Sequence, residues 1–498
     1  MSVLVFGTPF LEFSTPLPCA GIADSCHNPV SMDRVVVVGA GLAGLRTIEE
    51  LRARGYRGAI TLVGAEKTPP YDRPPLSKKV MTGELSDTSL RADFAKLEAD
   101  FRAGETATAL EDGVLRTDQN SHPFDRLVIA TGATPVRLPG EGRQRVLRSI
   151  GEALELRALL RPGVKLVIAG AGWIGAELAT AAASLGARVT VLDAAATPLA
   201  VAVGAEVGAQ TAPWYAAAGV ELLLNQAVES VQPGGLALAG GGWLAADVVV
   251  TAVGVRPAVG WLAGSRVELD RGVAADEGLR TSVPGVYAVG DCASFVSRRY
   301  GRRLRFEHWD VALHAPEVAA ANLLGGNEIY DPVPYFWSEQ FGRMLQYIGH
   351  HGDADTMVWR GDPAGPDWAA CWLEDRRLVA LLTVDRPRDL VQGRRVIAAG
   401  ATVDVGRLAD PGVPIRDVAR VLFKPVQRVA SRNTQEVCIT LAGPMSVWTG
   451  LTCGTFGAWH RSTPWPTLWS ANGSHSPTLL PASASPSAGS GNCCATAS

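Results

Sequence analysis

The sequence predicts an α/β protein with two parallel-sheet units and a smaller α+β unit towards the C-terminal end. Glycine-rich turns at 39–44 and 170–175 each follow a short β-rich run. Such runs alternate with alanine-rich stretches of helical composition, for example 176–185, and this alternation is typical of parallel sheets. Two further apolar runs, 368–373 and 378–384, are separated by four charged residues and indicate a β-hairpin in the smaller unit.

The two turns, GAGLAG and GAGWIG, have the glycine spacing of a dinucleotide-binding turn. The first glycine permits a sharp bend, the second lets the backbone approach a pyrophosphate, and the third lets the helix pack against the strand. The following helix offers free N–H groups and its positive dipole end to the phosphates. A purely structural turn is the alternative. Two copies predict Rossmann-like domains for two dinucleotides, the layout of an enzyme that passes a hydride from a nicotinamide to a flavin. The glycines are Gly39, Gly41 and Gly44 in the first turn and Gly170, Gly172 and Gly175 in the second.

Each unit has an acidic residue where its second strand should end, the position that binds a ribose diol. These residues are Glu66 and Asp193. No arginine follows Asp193 closely, and Arg188 lies inside the predicted strand, so a 2′-phosphate would meet a carboxylate without a cation. We therefore expect NADH at the second turn. FAD is expected at the first, supported by the strand-end pair Gly290 and Asp291.

The cysteine pattern argues against a thiol–disulfide mechanism. Of eight cysteines, Cys292 and Cys371 are the two that fall between the first turn and residue 420. No close cysteine pair accompanies either glycine turn, so redox-disulfide chemistry has no candidate residues. We interpret Cys292 as a small buried residue and expect the reduced flavin to pass its electrons directly to an external acceptor.

Several longer segments are more specific than the turns. In their residues and their order along the chain, they resemble the NADH-dependent, FAD-containing ferredoxin and rubredoxin reductases of oxygenase systems. These reductases are a putidaredoxin-reductase-like branch of the pyridine nucleotide-disulfide oxidoreductase superfamily. The resemblance covers about residues 33–420 and implies a glutathione-reductase-like fold. The matching segments are PYDRPPLSK from Pro70, ATGATP from Ala130, GAGWIGAE from Gly170, GVRP from Gly254, TSVPGVYAVGDCA from Thr281, EHW from Glu307 and PYFWS from Pro334.

The resemblance implies roles for individual residues. Lys78 would lie near the flavin ring and Glu177 near the nicotinamide, and this pair would stabilise the reduced ring by charge. Trp309 would sit against the isoalloxazine edge, and these three are the candidate catalytic residues. No metal site is expected. The implied FAD contacts are Gly39, Gly41, Ala43, Gly44, Glu66, Arg73, Lys78, Ala107, Thr131, Gly132, Arg137, Asp291 and Trp309, and the implied NADH contacts are Gly170, Gly172, Ile174, Gly175, Glu177, Asp193 and Gly254.

Some of these assignments have open alternatives. Lys78 could be a solvated loop lysine, and Trp309 could be a core residue. The family usually has an arginine where this chain has Val136, so Arg137 would have to replace it.

An arginine cluster follows the Gly290–Asp291 pair and is a candidate docking surface. The net charge of the whole chain is only −3, so this basic patch is local. An acidic [2Fe–2S] ferredoxin, or a rubredoxin, would be attracted to it. The alternative is a solvated loop, and the cluster lacks the aromatic interleaving of a nucleic-acid site. The candidate docking residues are Arg298, Arg299, Arg302 and Arg303, while Arg305 is expected to pack near the flavin.

The domain organisation follows from these segments. We expect a discontinuous FAD-binding domain at 32–140 and 257–330, an NADH-binding domain at 141–256, and a C-terminal reductase domain at 331–420. Residues 1–31 would be an N-terminal extension and 421–498 an atypical tail, expected to be disordered because its end is mostly Ser, Ala, Pro and Gly.

The sequence also bears on location and assembly. It has no apolar run of about 18 residues or more, so no membrane-spanning segment is expected. A cytoplasmic location follows, where thiols stay reduced. Monomer and homodimer are both open. The competing functions on the same fold are an NADH oxidase or disulfide-type reductase, and an interaction protein resembling apoptosis-inducing factor, in which NADH binding switches association.

Overall fold

The computed structural model describes residues 34–352 and 354–420; the expected N-terminal extension and the expected disordered tail lie outside the described residues. The strands are β1 (Arg34–Val38), β2 (Ala59–Gly64), β3 (Ala99–Ala103), β4 (Ala107–Glu111), β5 (Val114–Thr117), β6 (Ser121–Pro123), β7 (Arg126–Ile129), β8 (Ala133–Pro135), β9 (Gln144–Arg145), β10 (Lys165–Ala169), β11 (Arg188–Leu192), β12 (Glu221–Leu223), β13 (Val228–Gln232), β14 (Gly235–Leu238), β15 (Trp243–Ala245), β16 (Val248–Thr251), β17 (Val255–Pro257), β18 (Val273–Ala275), β19 (Val286–Ala288), β20 (Ala293–Ser297), β21 (Arg302–Leu304), β22 (Tyr335–Gln340), β23 (Arg343–Gly349), β24 (Thr356–Arg360), β25 (Trp368–Glu374), β26 (Arg377–Val384), β27 (Thr402–Val403) and β28 (Ala419–Arg420).

Ten α-helices and four short 3₁₀ helices lie between the strands of the described residues. Short 3₁₀ helices lie at Pro74–Ser77, Gly260–Leu262, Gly290–Cys292 and Ile415–Asp417. The α-helices are α1 (Leu42–Ala53), α2 (Lys79–Thr82), α3 (Ile150–Leu159), α4 (Trp173–Ser184), α5 (Ala200–Val203), α6 (Ala205–Ala209), α7 (Ala212–Ala217), α8 (Trp309–Leu323), α9 (Pro387–Ala398) and α10 (Val405–Ala409).

The first parallel sheet has the strand order β19-β7-β1-β2-β3. Its central strand β1 is buried on both faces, with Val35 and Val37 against one cluster of apolar side chains and Val36 and Val38 against the other. A strand covered on both faces needs apolar residues at every position rather than at alternate ones. The uninterrupted valine run is explained by this double burial.

The second parallel sheet repeats this plan with the order β12-β11-β10-β16-β9. Leu166, Val167, Ile168 and Ala169 of β10 are each at most 2% exposed. Helix α4 packs against this sheet through its alanines, because their small side chains let helix and sheet approach closely. The predicted helix at 176–185 is therefore present, as α4.

The second unit is inserted between two parts of the first. The chain leaves along β8 and returns along β17, and these two strands form an antiparallel ribbon in which Ala133 pairs with Pro257. Each unit also has a separate small antiparallel sheet, β4-β5-β6 in the first and β13-β14-β15 in the second.

The C-terminal unit is an antiparallel sheet of the order β22-β23-β26-β25-β24, in which β27 also pairs with β26 and β28 pairs with β27. Helix α9 packs on one face through Leu390, Val396 and Ile397. The predicted hairpin is present as β25 and β26, joined at Asp375 and Arg376, both of which have positive φ. Two parallel-sheet units and a smaller α+β unit confirm the predicted fold class. Within the described ranges, no helix is both long and apolar enough to span a membrane.

Candidate functional site

The two glycine turns have the same backbone construction. A Cβ on Gly44 would collide with the carbonyl oxygen of Gly39, and a Cβ on Gly175 with that of Gly170. The third glycine of each turn is therefore required for packing the helix on its strand.

The second glycines differ from the third. A Cβ on Gly41 or Gly172 would meet no protein atom within 4 Å. Both residues are the N-caps of their helices, α1 and α4, and neither offers a capping side chain. Each turn thus leaves open space in front of uncapped N–H groups at a positive dipole end, which fits a pyrophosphate group.

The acid of the first unit belongs to a side-chain network. Glu66 Oε1 accepts a bond of 2.6 Å from Arg73 Nη2, and its Oε2 accepts one of 2.6 Å from the Tyr71 hydroxyl. Burial raises the pKa of Tyr71 to about 12, so this hydroxyl keeps its proton at neutral pH. Arg73 also donates to the carbonyl of Arg148 at 2.7 Å. Glu66 is therefore oriented by its neighbours before any ribose is considered.

The acid of the second unit is held by backbone instead. Asp193 Oδ2 accepts a 2.7 Å bond from the amide of Ala171, inside the glycine turn, and Oδ1 accepts a 2.8 Å bond from the amide of Ala195. Asp193 thus ties the end of β11 to the turn after β10. Ile174, 43% exposed, lies on the first turn of α4.

Lys78 and Glu177, far apart in the chain, form an ion pair. Lys78 Nζ lies 2.8 Å from Glu177 Oε2, and the Glu177 side chain is only 3% exposed. The same oxygen accepts a 2.5 Å bond from the hydroxyl of Ser77, while Oε1 accepts a 2.6 Å bond from the hydroxyl of Ser338. One carboxylate therefore joins the loop after β2, helix α4 and strand β22.

Trp309 opens helix α8 and is fixed by a hydrogen bond. Its Nε1 donates to Asp72 Oδ1 at 2.7 Å, and burial raises the pKa of the Asp72 carboxyl. The indole also makes an edge contact with Trp337, whose ring stacks on Tyr335. Trp309 is thus bound to the same loop that carries Lys78.

His308, next to Trp309, has an apolar environment. Its ring lies 5.2 Å from that of Phe306 and 5.3 Å from that of Phe336 between ring centres. Its Nδ1 is shielded from solvent and has no hydrogen-bond partner among the described residues. Burial lowers the pKa of His308 to about 4, so the imidazole is neutral at pH 7.

Asp291 lies beside the first turn. A Cβ on Gly290 would lie 3.1 Å from that of Ala43, which puts the Gly290–Asp291 pair against the start of α1. Asp291 Oδ2 forms a 2.7 Å ion pair with Arg148 Nη2. Arg137, by contrast, is exposed and donates to the carbonyl of Gln144. The arginine that pairs with the Asp291 carboxylate is therefore Arg148.

The remaining candidates lie on the connections between units. Thr131 donates to the carbonyl of Ala258 at 2.8 Å, and Gly132 follows it with a φ of 67°. Gly254 has a φ of 109° at the end of the second sheet. Ala107 begins β4.

The two cysteines of the described region are buried thiols. Burial raises the pKa of both, that of Cys371 to about 12. Cys292 Sγ lies 3.4 Å from the carbonyl oxygen of Val289. Neither thiol is available as a thiolate, which agrees with the interpretation of Cys292 as a small buried residue.

Several arginines of the predicted docking cluster have internal partners. Arg298 forms a bidentate pair with Glu277. Arg299 donates to the carbonyls of Ile397 and Ala398 at the end of α9, and Arg303 donates to those of Ala275 and Ser294. Arg305 Nη1 reaches the carbonyl of Asp291 at 3.4 Å, consistent with packing near the first turn.

Sequence reasoning missed five residues of this site. Ser77, Tyr71 and Asp72 lie in the PYDRPPLSK segment and Ser338 in the PYFWS segment, so the segments were recognised but not these side chains. Arg148 lies between the ATGATP and GAGWIGAE segments, and no local pattern marks it.

Comparison with known proteins agrees with this construction. The profile of the pyridine nucleotide-disulphide oxidoreductase family matches residues 33–315, and that of the reductase C-terminal domain matches residues 335–419. The chain is 38% identical to the ferredoxin–NAD(+) reductase component of the anthranilate 1,2-dioxygenase system from Burkholderia cepacia, over 78% of this chain and 99% of the relative.

Solved structures give the same result. The crystal structure of Fdr9 matches with a TM-score of 0.75 and 48% identity, over 78% of this chain and 100% of that chain. A covalent putidaredoxin reductase–putidaredoxin complex matches with a TM-score of 0.74 and 31% identity, over 78% and 98% of the two chains. FAD and NAD(H) are the cofactors of these oxidoreductases. With both glycine turns, both parallel sheets and the C-terminal unit accounted for, this chain belongs to the pyridine nucleotide-disulphide oxidoreductase family.

Proposed function

We propose that this chain is an NADH-dependent, FAD-containing reductase that delivers electrons to a [2Fe–2S] ferredoxin serving a cytochrome P450 or a ring-hydroxylating dioxygenase. The observation that carries the proposal is the buried Lys78–Glu177 pair, formed between the loop after the first dinucleotide unit and the helix of the second. The anthranilate dioxygenase relative, a ferredoxin–NAD(+) reductase component, supports it over nearly its full length.

The two turns would bind different dinucleotides. In the first unit, Gly39, Gly41, Gly44 and Glu66 would hold FAD; in the second, Gly170, Gly172, Gly175 and Asp193 would hold NADH. Asp291 would add a contact to FAD, with Arg148 in the position that we expected Arg137 to fill. When bound, FAD supplies the chemistry of accepting two electrons as a hydride and releasing them singly.

The residues that lie between the two turns would orient the bound flavin and stabilise its reduced form. Lys78 would hold a positive charge next to the flavin, since Glu177 and the carbonyl of Pro74 fix its ammonium group. Such preorganised charge acts where negative charge develops. Trp309, held by Asp72, would close one edge of the site and exclude water.

The domain limits are also proposed: 32–140 with 257–330 for FAD, 141–256 for NADH and 331–420 for the C-terminal domain. The antiparallel pairing of β8 with β17, where the chain leaves and rejoins the first unit, supports the insertion. A cytoplasmic location is proposed from the use of NADH and the unpaired Cys292 and Cys371.

The acceptor would dock at the arginine cluster. A cavity of about 260 Å³ is lined by Arg298, Arg299, Arg302 and Arg377 together with His350. Arg298 and Arg302 are exposed, so they are the proposed contacts for an acidic ferredoxin, while Arg299 and Arg303 would shape the surface from below. Opposed charges accelerate encounter and orient the partners.

The first test follows NADH oxidation by the flavin-loaded protein, with and without a [2Fe–2S] ferredoxin coupled to cytochrome c. We expect a large ferredoxin-dependent increase in cytochrome c reduction. Fast NADH consumption by oxygen without ferredoxin would instead indicate an oxidase. A slow hydride step with a long-lived charge-transfer complex would indicate a redox-switched interaction protein.

The docking proposal has its own test. Arg298→Glu with Arg302→Glu should raise the KM for ferredoxin at least about ten-fold, and the effect should shrink as salt screens the charges. Arg266→Glu, another exposed arginine of the first unit, is the matched control. Equal KM values for the double variant and the control would contradict docking at this cluster.

Lys78→Ala tests the ion pair directly. We expect the rate constant of flavin reduction by NADH in a stopped-flow trace to fall by about 10²-fold, in the range of one lost preorganised charge contact, and the variant to lose more of this rate than of its folding. Lys79→Ala removes the neighbouring, exposed lysine and should leave the rate unchanged.

A further inference from the structure

The carboxylate of Glu177 is held by the C-terminal unit as well as by the two dinucleotide units. Its two oxygens have different donors: Oε2 is bound by Lys78 and Ser77, whereas Oε1 is bound by Ser338 at 2.6 Å. Ser338 is a β22 residue with 0% exposure. The orientation of the carboxylate about its own axis therefore depends on a hydroxyl from a third part of the chain.

The direction of that hydroxyl is itself determined. Gln340 Nε2 donates to Ser338 Oγ at 3.1 Å, so the serine oxygen is already an acceptor from the amide. A serine hydroxyl has one proton, and the bond to Glu177 takes it. Gln340 is two residues further along the same strand, hence on the same face, and is 1% exposed. The hydrogen bonds therefore run in one direction: Gln340 donates to Ser338, and Ser338 donates to Glu177.

The strand that carries these residues is docked on α4 at further points. The amide of Phe341 donates to Thr180 Oγ1 at 3.0 Å, one helical turn after Glu177. The rings of Trp173 and Phe336 lie 4.9 Å apart between ring centres. Strand and helix are thus fixed relative to each other on both sides of Ser338.

From this geometry we propose that Ser338 is a positioning residue for flavin reduction, and that Gln340 orients its hydroxyl. The C-terminal unit then contributes to the step between the two dinucleotides by setting where Glu177 holds Lys78. This inference rests on the proposed function, because it assumes that the Lys78–Glu177 pair acts on the bound cofactors.

The decisive variants are Ser338→Ala and Gln340→Met, compared with Thr180→Val. The Thr180 change also removes a hydroxyl between β22 and α4, but it leaves the bonds to Glu177 intact, so it reports what looser docking alone does. Thermal unfolding of the three variants, without and with FAD, measures how much stability each loses through looser docking of β22 on α4.

In stopped-flow reduction by NADH, Ser338→Ala should lower the limiting rate constant at least ten-fold with the apparent Kd for NADH within about two-fold. Gln340→Met should lower it less, and Thr180→Val should not lower it. A crystal structure of Ser338→Ala should show the Glu177 side chain turned away from its wild-type position. An unchanged limiting rate, or an equal loss in Thr180→Val, would overturn the proposal.

The positioning role of Ser338 and the proposed reductase function can fail independently of each other. If ferredoxin fails to accept electrons but Ser338→Ala still slows flavin reduction by NADH, the positioning role stands and the acceptor is wrong. If ferredoxin reduction is fast and Ser338→Ala leaves flavin reduction unchanged, the reductase stands and the positioning role fails.

Discussion

The two dinucleotide units have nearly the same turn and differ in what surrounds their acidic residue. In both turns the third glycine is forced by a carbonyl of the first, and the second faces open space. Glu66 is held by the side chains of Arg73 and Tyr71, whereas Asp193 is held by backbone amides, one of them within its own turn. The backbone part of the site is repeated, and the side-chain part is individual to each unit.

This difference affects how each unit should respond when its acidic residue is substituted. The Glu66 contacts join side chain to side chain, so they can adjust without moving the glycine turn. The Asp193 contacts cannot shift without moving the turn, because their donors are main-chain amides. We expect the first acid to influence mainly affinity, and the second to influence the shape of the turn as well as affinity.

The largest expected effect comes from filling the open space at the second glycine. Gly41→Val should yield protein without bound flavin, whereas Gly172→Val should remain yellow, be reduced by dithionite and resist reduction by NADH. The added side chain meets no protein atom within 4 Å of its Cβ, so folding should be retained in both. Flavin absorbance and circular dichroism check the result.

A matched control is Gly151→Val, since Gly151 also has open space around it but lies at the start of α3. It should retain flavin and NADH reduction. Loss of flavin from Gly172→Val would contradict this prediction. It would mean either that the second turn binds FAD or that a change in the second turn disturbs flavin binding at the first.

A smaller effect is expected from the acids. Wild-type protein should prefer NADH over NADPH in kcat/KM by at least about ten-fold, a difference of about 1.4 kcal/mol. Asp193→Ala should lower kcat/KM for NADH more than for NADPH, because it removes the carboxylate that disfavours a 2′-phosphate. Glu66→Ala should leave this ratio unchanged. Equal kcat/KM of wild-type protein for the two nucleotides would refute the role of Asp193.

The last expected effect concerns stability rather than catalysis, and it is a pH dependence that involves His308. His308 has a pKa of about 4 in the folded protein, below its ordinary value of 6.5, so the unfolded chain takes up the proton first. The stability due to the neutral imidazole is complete above pH 6.5 and is lost as the pH falls towards 4, by at most about 1.4 kcal/mol per pH unit.

His308→Phe should remove this part of the acid dependence. We expect the free energy of unfolding of the variant, measured by denaturant titration, to fall less steeply than that of wild type between pH 6.5 and 4. Parallel curves for the two proteins would show that the pKa of His308 is the same in the folded and unfolded states.

The backbone features that the two dinucleotide units share could be predicted from the sequence. The side-chain contacts in which the units differ could not. Glycine turns, apolar β runs and the β25–β26 hairpin are local patterns, so each was predicted from a few consecutive residues. Ser338 and Glu177 are brought together by packing of the C-terminal unit on α4, and a single serine carries no pattern that predicts this.

The arginine cluster illustrates the same limit. Arg299 and Arg303 were grouped with Arg298 and Arg302 as surface charges, but both point to backbone carbonyls. Arg302 and Arg303 are neighbours in β21 and therefore face opposite sides of that strand. Arg298 and Arg299 lie in the connection between β20 and β21, where the backbone path sets the direction of each side chain. A run of charges in the sequence encodes neither arrangement. Arg137 was selected for a similar reason: it was near in sequence, whereas Arg148 is near Asp291 in space.

The strand order has a consequence for synthesis of the protein. The second parallel sheet takes all its strands from residues 144–251, but the first needs β19, at Val286–Ala288, to stand beside β7. Domains fold as units while the chain emerges from its N-terminal end. The inserted sheet can therefore be complete while the sheet that began earlier still lacks an edge strand. The first sheet to be started on the ribosome is therefore finished after the second. With FAD at the first turn, as proposed, flavin could be captured only after the whole sequence of the second unit had been translated.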